Sequence, residues 1–218
     1  MTHTIVRLFS HPSDAFQATE KLERMGISHS DISVVANNAE GWYDKDKGLH
    51  HDRLRGMKDN NHDGTDDRIE GAGKGASTGA VLGGGAGLLA GLGMLAIPGL
   101  GPIVAAGWLA ATATGAAAGA VAGGTVGGLL GALTKDGVPE QDAHVYTEGV
   151  RRGGTLVSVR VSDAQARDAE AVLREYGGID ASGRSSAYRD TGWSGIDPAA
   201  PDMTADEIRA ERMRYPRS

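Results

Sequence analysis

The sequence of 218 residues contains no cysteine and few aromatic residues, which make up 5% of the chain. The absence of cysteine excludes disulfide bridges, thiolate metal sites and cysteine catalysis. The net charge is −6, so the chain lacks the basic excess that is typical of nucleic-acid binding. The N-terminal stretch MTHTIVRLFSHPSDAF has no basic region followed by a long apolar run, and we expect no secretory signal peptide.

Glycine, by contrast, is abundant and concentrated in the middle of the chain. Of the 34 glycines, 20 lie between residues 71 and 133. Between Lys74 and Lys135, 60 consecutive residues carry no charge. Because the flanking segments are polar and charged, the sequence predicts an apolar insertion between two polar parts.

The first polar part has the pattern of a β-α-β unit. Residues 4–10 predict a strand, residues 13–26 a helix and residues 31–37 a second strand. Ser13 is the predicted N-cap and Gly26 the predicted left-handed stop. The predicted buried face of this helix consists of Ala15, Ala18, Leu22 and Met25.

The second polar part repeats this pattern. Residues 155–162 alternate as a strand, and residues 162–177 predict a helix that begins with a Ser162–Gln165 capping box. A short last strand follows, and residues 138–154 predict one more helix before the unit. The predicted fold class is therefore α+β, a ferredoxin-like βαβ + βαβ sandwich split by an insertion.

Within the insertion, small residues recur at every fourth position in two apolar segments, at about 75–97 and 103–133, with a turn at 98–102. Such rows let two helices approach closely, so the sequence predicts a glycine-zipper helical hairpin used for association. The first row consists of Gly71, Gly75, Gly79, Gly83, Gly87 and Gly91. The glycines of the second row are Gly107, Gly115, Gly119, Gly123, Gly127 and Gly131.

Three environments fit the outer surface of this hairpin. It is long enough to enter a membrane, with Trp108 near an interface. It can instead stack against other copies in a soluble oligomer, or pack on its own domain. The sequence leaves these alternatives open, and a homo-oligomer or a membrane lipid is the expected partner.

The predicted organisation has five parts. They are a first βαβ half at 1–38, a polar acidic connector at 39–70, the helical hairpin at 71–135, a helix plus second βαβ half at 136–182, and a polar tail at 183–218. In the tail, Thr204 and Glu207 predict the capping box of a short helix, and we expect Trp193 and Ile196 to dock on the core.

The connector contains a candidate calcium loop, DNNHDGTDDRIE, whose spacing matches a twelve-residue oxygen-ligand pattern. The candidate ligands are Asp59, Asn61, Asp63, Thr65, Asp67 and Glu70. The alternative is a solvated linker, because Asp66 occupies a position that is usually aliphatic. Calcium is the one cofactor that the sequence suggests.

Other motifs do not support chemistry. The stretch GAGKGAST lacks the spacing of a phosphate-binding loop, and the G-x-G-x-x-A matches do not follow a strand. No nucleophile, base and orienting group can be assembled from the sequence. We therefore expect no enzyme activity, no catalytic residue and no small-molecule substrate.

Three stretches together resemble a bacterial general-stress-protein family related to heat- and low-temperature-induced proteins. They are residues 4–36, the glycine-rich segment with AIPGLGPIVAAG, and GVPEQDAHVYTEGVRRGGTLVSVRV. The resemblance covers about residues 4–180 and implies a stress-linked role without an activity or catalytic residues to carry over. It implies a location in the bacterial cytoplasm or on the cytoplasmic side of the inner membrane.

The expected function is thus a non-enzymatic stress-response protein that self-associates or attaches to membrane through the glycine-rich hairpin. The alternative is a calcium-responsive binding module that uses the loop at 59–70.

Overall fold

The computed structural model describes residues 2–43, 93–97, 100–110, 126–197 and 200–215. Within these residues the fold is mixed helix and strand. The strands are β1 (Thr2–Phe9), β2 (Ile32–Asn37), β3 (Gly93–Ile97), β4 (Gly101–Ala106) and β5 (Thr155–Ser162). The helices are α1 (Pro12–Arg24), α2 (Val126–Lys135), α3 (Glu140–Arg151), α4 (Asp163–Glu175), α5 (Ala181–Asp190) and α6 (Ala205–Met213), with a short 3-10 turn at His29–Asp31.

The strands form one antiparallel sheet in the order β1-β5-β2-β4-β3. Strand β5 lies between β1 and β2, pairing Phe9 with Thr155 on one side and Ala36 with Thr155 on the other. Ile179 forms an isolated bridge to Leu8 outside β1. The two strands of the first β-α-β unit are therefore separated by a strand from the second unit.

Helices cover both faces of the sheet. Alternation along the strands directs Val157 and Val159 towards α1 and α4, which contribute Leu22 and Leu173 to this core. On the opposite face, α2, α3 and α5 pack on a second set of side chains that includes Val6, Leu8, Val35 and Leu156. Because all of these side chains are buried, the sheet forms the middle of three layers.

Most of the predicted elements in the two polar parts are confirmed. Strand β5 has the predicted bounds, Gln165 accepts a hydrogen bond from the Ser162 amide, and Gly177 ends α4 with a positive φ of 81°. The Thr204–Glu207 capping box at α6 is also present.

Two predictions about α1 are wrong. Ser13 is not the cap, because Pro12 already occupies the first helical turn and His11 precedes it. Met25 is exposed rather than buried, because the helix ends before it.

The predicted helical hairpin is wrong between Gly93 and Ala106, where β3 and β4 form a β-hairpin on the edge of β2. The glycine period suggested helix, but the apolar runs MLAI and IVAA lie symmetrically about the turn at PGLGP. This pattern suits two paired strands, and Ile103 and Val104 are fully buried in β4. Helix does occur later in the insertion, at α2.

Candidate functional site

The two ends of the sheet carry different features. We call the end with Thr2, Ala106 and Ser162 the attachment end, because the glycine-rich chain meets the sheet there. We call the opposite end, with Phe9, Asn37 and Thr155, the cleft end. The pairing registers place each of these sets at one end of the sheet.

At the attachment end, the two glycine-rich runs meet the sheet side by side. Gly93 pairs with Ala105 across β3 and β4. The chain therefore enters β3 and leaves β4 at the same end of the hairpin. Gly91, the last glycine of the first row, and Gly107, the first of the second, are each two residues from this pair along the chain.

Gly107 itself is a turn residue and not part of a helical row, which corrects the prediction. Its φ is +78°, and an added Cβ would lie 2.3 Å from the Ile32 carbonyl oxygen. The turn is fixed by Ser33, whose hydroxyl donates to the Ala106 carbonyl at 2.7 Å and accepts from the Leu109 amide at 3.1 Å. Glycine is needed here for a close backbone approach.

The chain beyond this turn is held against β5. The Arg160 guanidinium lies 3.9 Å from the centre of the Trp108 ring and pairs with Asp136, the residue directly after α2. Asp136 also accepts a hydrogen bond from the Thr4 hydroxyl at 2.7 Å. Trp108, which the sequence placed near a membrane interface, is thus half-buried against the sheet.

The other association glycines fall in two groups. Gly127 and Gly131 lie in α2, and an added Cβ on Gly131 would meet no atom of the described residues within 4 Å. The rest lie outside the described residues, namely Gly71, Gly75, Gly79, Gly83, Gly87, Gly91, Gly115, Gly119 and Gly123. The candidate calcium ligands Asp59, Asn61, Asp63, Thr65, Asp67 and Glu70 lie outside them as well.

At the cleft end, a network of buried ion pairs joins α3 to α6. Glu148 on α3 is 2% exposed and accepts hydrogen bonds from Arg151 at 2.8 Å and Arg152 at 2.6 Å. Arg152 also donates to Glu211 on α6 at 2.8 Å. The hydrogen bond to Glu148 raises the pKa of the Arg151 guanidinium. Charges buried this deeply are stable only when paired in this way.

A second contact joins α6 to the end of β1 and to the turn after β2. Arg212 pairs with Glu40 at 2.5 Å and donates through Nε to the Ser10 carbonyl at 2.9 Å. The Ile208 side chain packs against Gly153, where an added Cβ would lie 2.2 Å from Ile208 Cγ2. We call the sheet and helices α1 to α4 the head. The tail is docked on this head, as predicted from Trp193 and Ile196, which pack on the same core.

Between these elements lies a small cleft lined by arginine and tyrosine. The Arg184 guanidinium is 4.3 Å from the Tyr215 ring centre, and that of Arg152 is 4.3 Å from the Tyr188 ring centre. Burial raises the pKa of the Tyr188 hydroxyl above its usual range. The cavity itself measures about 20 Å³, slightly more than the ~10–15 Å³ that one water molecule needs.

Sequence reasoning missed this cleft. Its arginines come from the C-terminal cap of α3 and from α5 and α6, and α5 was not predicted because its buried residues are few and mostly polar. One signal was present, since Glu148 and Arg152 have the spacing of a helical ion pair.

Among the described residues, no three acidic or histidine side chains are grouped so that they could hold a metal ion. In the same part of the chain, no helix combines the length and the apolar character required to cross a bilayer.

The fold and these two ends define an α+β protein with an antiparallel sheet, helices on both faces and a docked C-terminal helix. No family model, no curated protein and no solved structure matches the chain.

Proposed function

We propose that this protein is a non-enzymatic bacterial stress-response protein that self-associates or attaches to membrane through its glycine-rich segment. The observation that carries the proposal is the common exit of the two glycine-rich runs beside the Gly93–Ala105 pair. Rows of small residues that begin next to each other are favourably placed to pack on one another or on a second copy.

The anchoring of the segment supports a role as a presented module. A segment that mediates association has to be fixed firmly to the rest of the molecule. The turn at Gly107, the Arg160–Trp108 contact and the Asp136–Arg160 pair all hold its ends to the sheet. The head then acts as a rigid platform for the uncharged residues between Lys74 and Lys135.

The proposal includes a ferredoxin-like arrangement of the two β-α-β units. Ile179, β1, β5 and β2 follow one another across the sheet, and α1 and α4 pack on the same face. This arrangement supports two interleaved β-α-β units, to which the β3–β4 hairpin and the second helical layer are additions. The stress-linked role and the location at the bacterial cytoplasm or inner membrane rest on the sequence resemblance.

Fractionation of the expressed protein tests the proposal. A lysate is centrifuged, and the pellet is washed with alkaline carbonate and extracted with detergent. Retention until detergent is added supports membrane attachment, whereas a multi-chain particle in the supernatant, measured by light scattering, supports self-association. A soluble 22.5 kDa monomer would overturn both forms of the proposal.

A matched pair of variants connects the result to the glycine rows. Gly79→Leu with Gly83→Leu places bulk along the first row and is expected to reduce association, because close helix packing tolerates only small residues. Gln17→Leu adds a leucine to an exposed position of α1 and controls for added hydrophobic surface.

The acidic loop supports a second candidate function, a calcium-responsive binding module. The observation in its favour is the spacing of oxygen ligands from Asp59 to Glu70, which fits the demands of calcium. In this alternative, calcium binding beside the glycine-rich segment sets how far that segment is exposed.

A further inference from the structure

The cleft end contains one buried guanidinium without an acidic partner among the described residues. Arg151 and Arg152 pair with Glu148, and Arg212 pairs with Glu40. Arg184 is 2% exposed, and among the described residues its side chain donates hydrogen bonds to neutral groups only, from Nη2 to the Ser10 hydroxyl at 2.9 Å and to the Tyr215 hydroxyl. Its Nε is buried and has no hydrogen-bond partner there.

Such an arrangement leaves a positive charge to be neutralised. Arginine does not deprotonate in proteins, and a buried charge without a counterion is costly. The faces of Tyr215 and Tyr188, with ring centres 4.3 and 6.0 Å from Arg184, stabilise it only in part. The carboxylate of Glu211 also lines the cleft, but it is already paired with Arg152 and Arg214.

The cleft has room for a small ion. About 20 Å³ of it is accessible to a water-sized particle, which is enough for one water molecule or one small ion. Arg152, Arg184, Arg212 and Ser10 are among the residues that line it, and each has a side chain that can donate hydrogen bonds.

We propose that this cleft binds a single chloride-sized inorganic anion between Arg184, Arg152, Arg212 and Ser10. Ser10 and Arg152 belong to the head, whereas Arg212 belongs to α6. An anion in the cleft therefore bridges the head and the tail, and its binding stabilises the docked position of α6. This inference is independent of the function proposed for the glycine-rich segment.

Chloride-35 NMR of the full chain tests the proposal directly, because a bound chloride ion broadens the free-ion signal. Thermal unfolding in chloride and in gluconate at equal ionic strength provides a second measurement, since matched ionic strength removes general screening. We expect protein-dependent broadening and a higher melting temperature in chloride.

Three variants assign the effect to the cleft. Arg184→Gln is expected to abolish both signals, and Ser10→Ala to weaken binding about five- to tenfold through loss of one neutral hydrogen bond. Arg189→Gln removes the same charge from an exposed position of α5 and is expected to behave like the wild type. Circular dichroism establishes that each variant is folded, and Ser10→Ala carries the test if Arg184→Gln is not.

Two results would overturn the proposal. One is a wild-type protein that neither broadens the chloride signal nor melts at a higher temperature in chloride. The other is an equal response in the wild type and in folded Arg184→Gln or Ser10→Ala, which would place the ion elsewhere on the surface.

Discussion

At the scale of single residues, glycines from the same sequence pattern serve different purposes. Gly107 has a left-handed backbone pressed against the Ile32 carbonyl, whereas Gly131 lies in α2 and faces open space among the described residues. The four-residue spacing that joins them in the sequence cannot distinguish these surroundings, because they depend on which strand passes nearby. The sequence alone therefore predicted a common role that Gly107 does not have.

The two positions should respond oppositely to alanine. Gly107→Ala is expected to lower the free energy of unfolding by about 3 kcal/mol, because the new Cβ clashes with backbone in a strained conformation. Gly131→Ala is expected to raise it by up to about 1 kcal/mol through helix propensity. Urea denaturation of both variants measures the difference, and equal effects would contradict the assignment of Gly107 to a turn.

The candidate calcium loop gives a prediction at the same scale. If Asp63 is a ligand, isothermal calorimetry should detect calcium binding to the wild type, and Asp63→Ala should bind calcium at least about tenfold more weakly than the wild type. Asp52→Ala, upstream of the loop pattern, is the matched control. Absence of heat from the wild type at millimolar calcium would leave a solvated linker as the interpretation of these residues.

At the scale of elements, the sequence predicted the helices and strands that depend on interactions between residues close together in the chain. Strand β5 and helix α4 followed from alternation and a capping box, and the turn at PGLGP was located correctly. The strands beside that turn were missed because β2, on whose edge β4 pairs, is distant in the sequence. Helix α5 was missed because its buried Arg184 and Tyr188 are stabilised by contacts with α3 and the tail.

Docking of α6 depends on buried ion pairs and should be sensitive to their loss. Glu211→Gln leaves Arg152 with one carboxylate instead of two, which is expected to destabilise the docked helix by about 2 kcal/mol. Hydrogen exchange should then become faster at residues 205–213 and remain unchanged in β5. Asp206→Asn removes an exposed charge from the same helix and should leave the exchange rates nearly unchanged. An equal increase in exchange rate across the whole head would contradict a local role of the Glu211 ion pairs in docking α6.

At the scale of the whole molecule, the sheet separates two regions. The attachment end receives the glycine-rich chain, and the cleft end receives the C-terminal helix. The separation arises from the antiparallel register, which places the exit of β4 at the same end of the sheet as the start of β1, and the end of β1 next to α3 at the opposite end. The sequence predicted the insertion and the tail, but not that they meet opposite ends.

The stability of the whole domain should fall at alkaline pH. Burial raises the pKa of Tyr43 and of Tyr146 to about 12, whereas an unfolded tyrosine titrates near 10. Above about pH 10 the unfolded chain loses protons that the folded chain retains, so stability present below pH 10 is lost between pH 10 and 12. Urea denaturation across this range measures the slope.

Tyr146→Phe provides the control for this titration. It removes the hydrogen bonds to the Val6 carbonyl and from the Ala181 amide, and should therefore be less stable at neutral pH. Its stability should nevertheless fall less steeply above pH 10. A slope identical to that of the wild type would contradict burial of a titrating hydroxyl at this position.

The central claim is that the glycine-rich segment causes association, and flotation with lipid vesicles followed by light scattering of the unfloated fraction tests it most directly. We predict that the wild-type chain either floats or forms a multi-chain particle, and that the Gly79→Leu, Gly83→Leu variant loses the multi-chain particle. A wild-type protein that does not float and scatters as a 22.5 kDa monomer would contradict the claim.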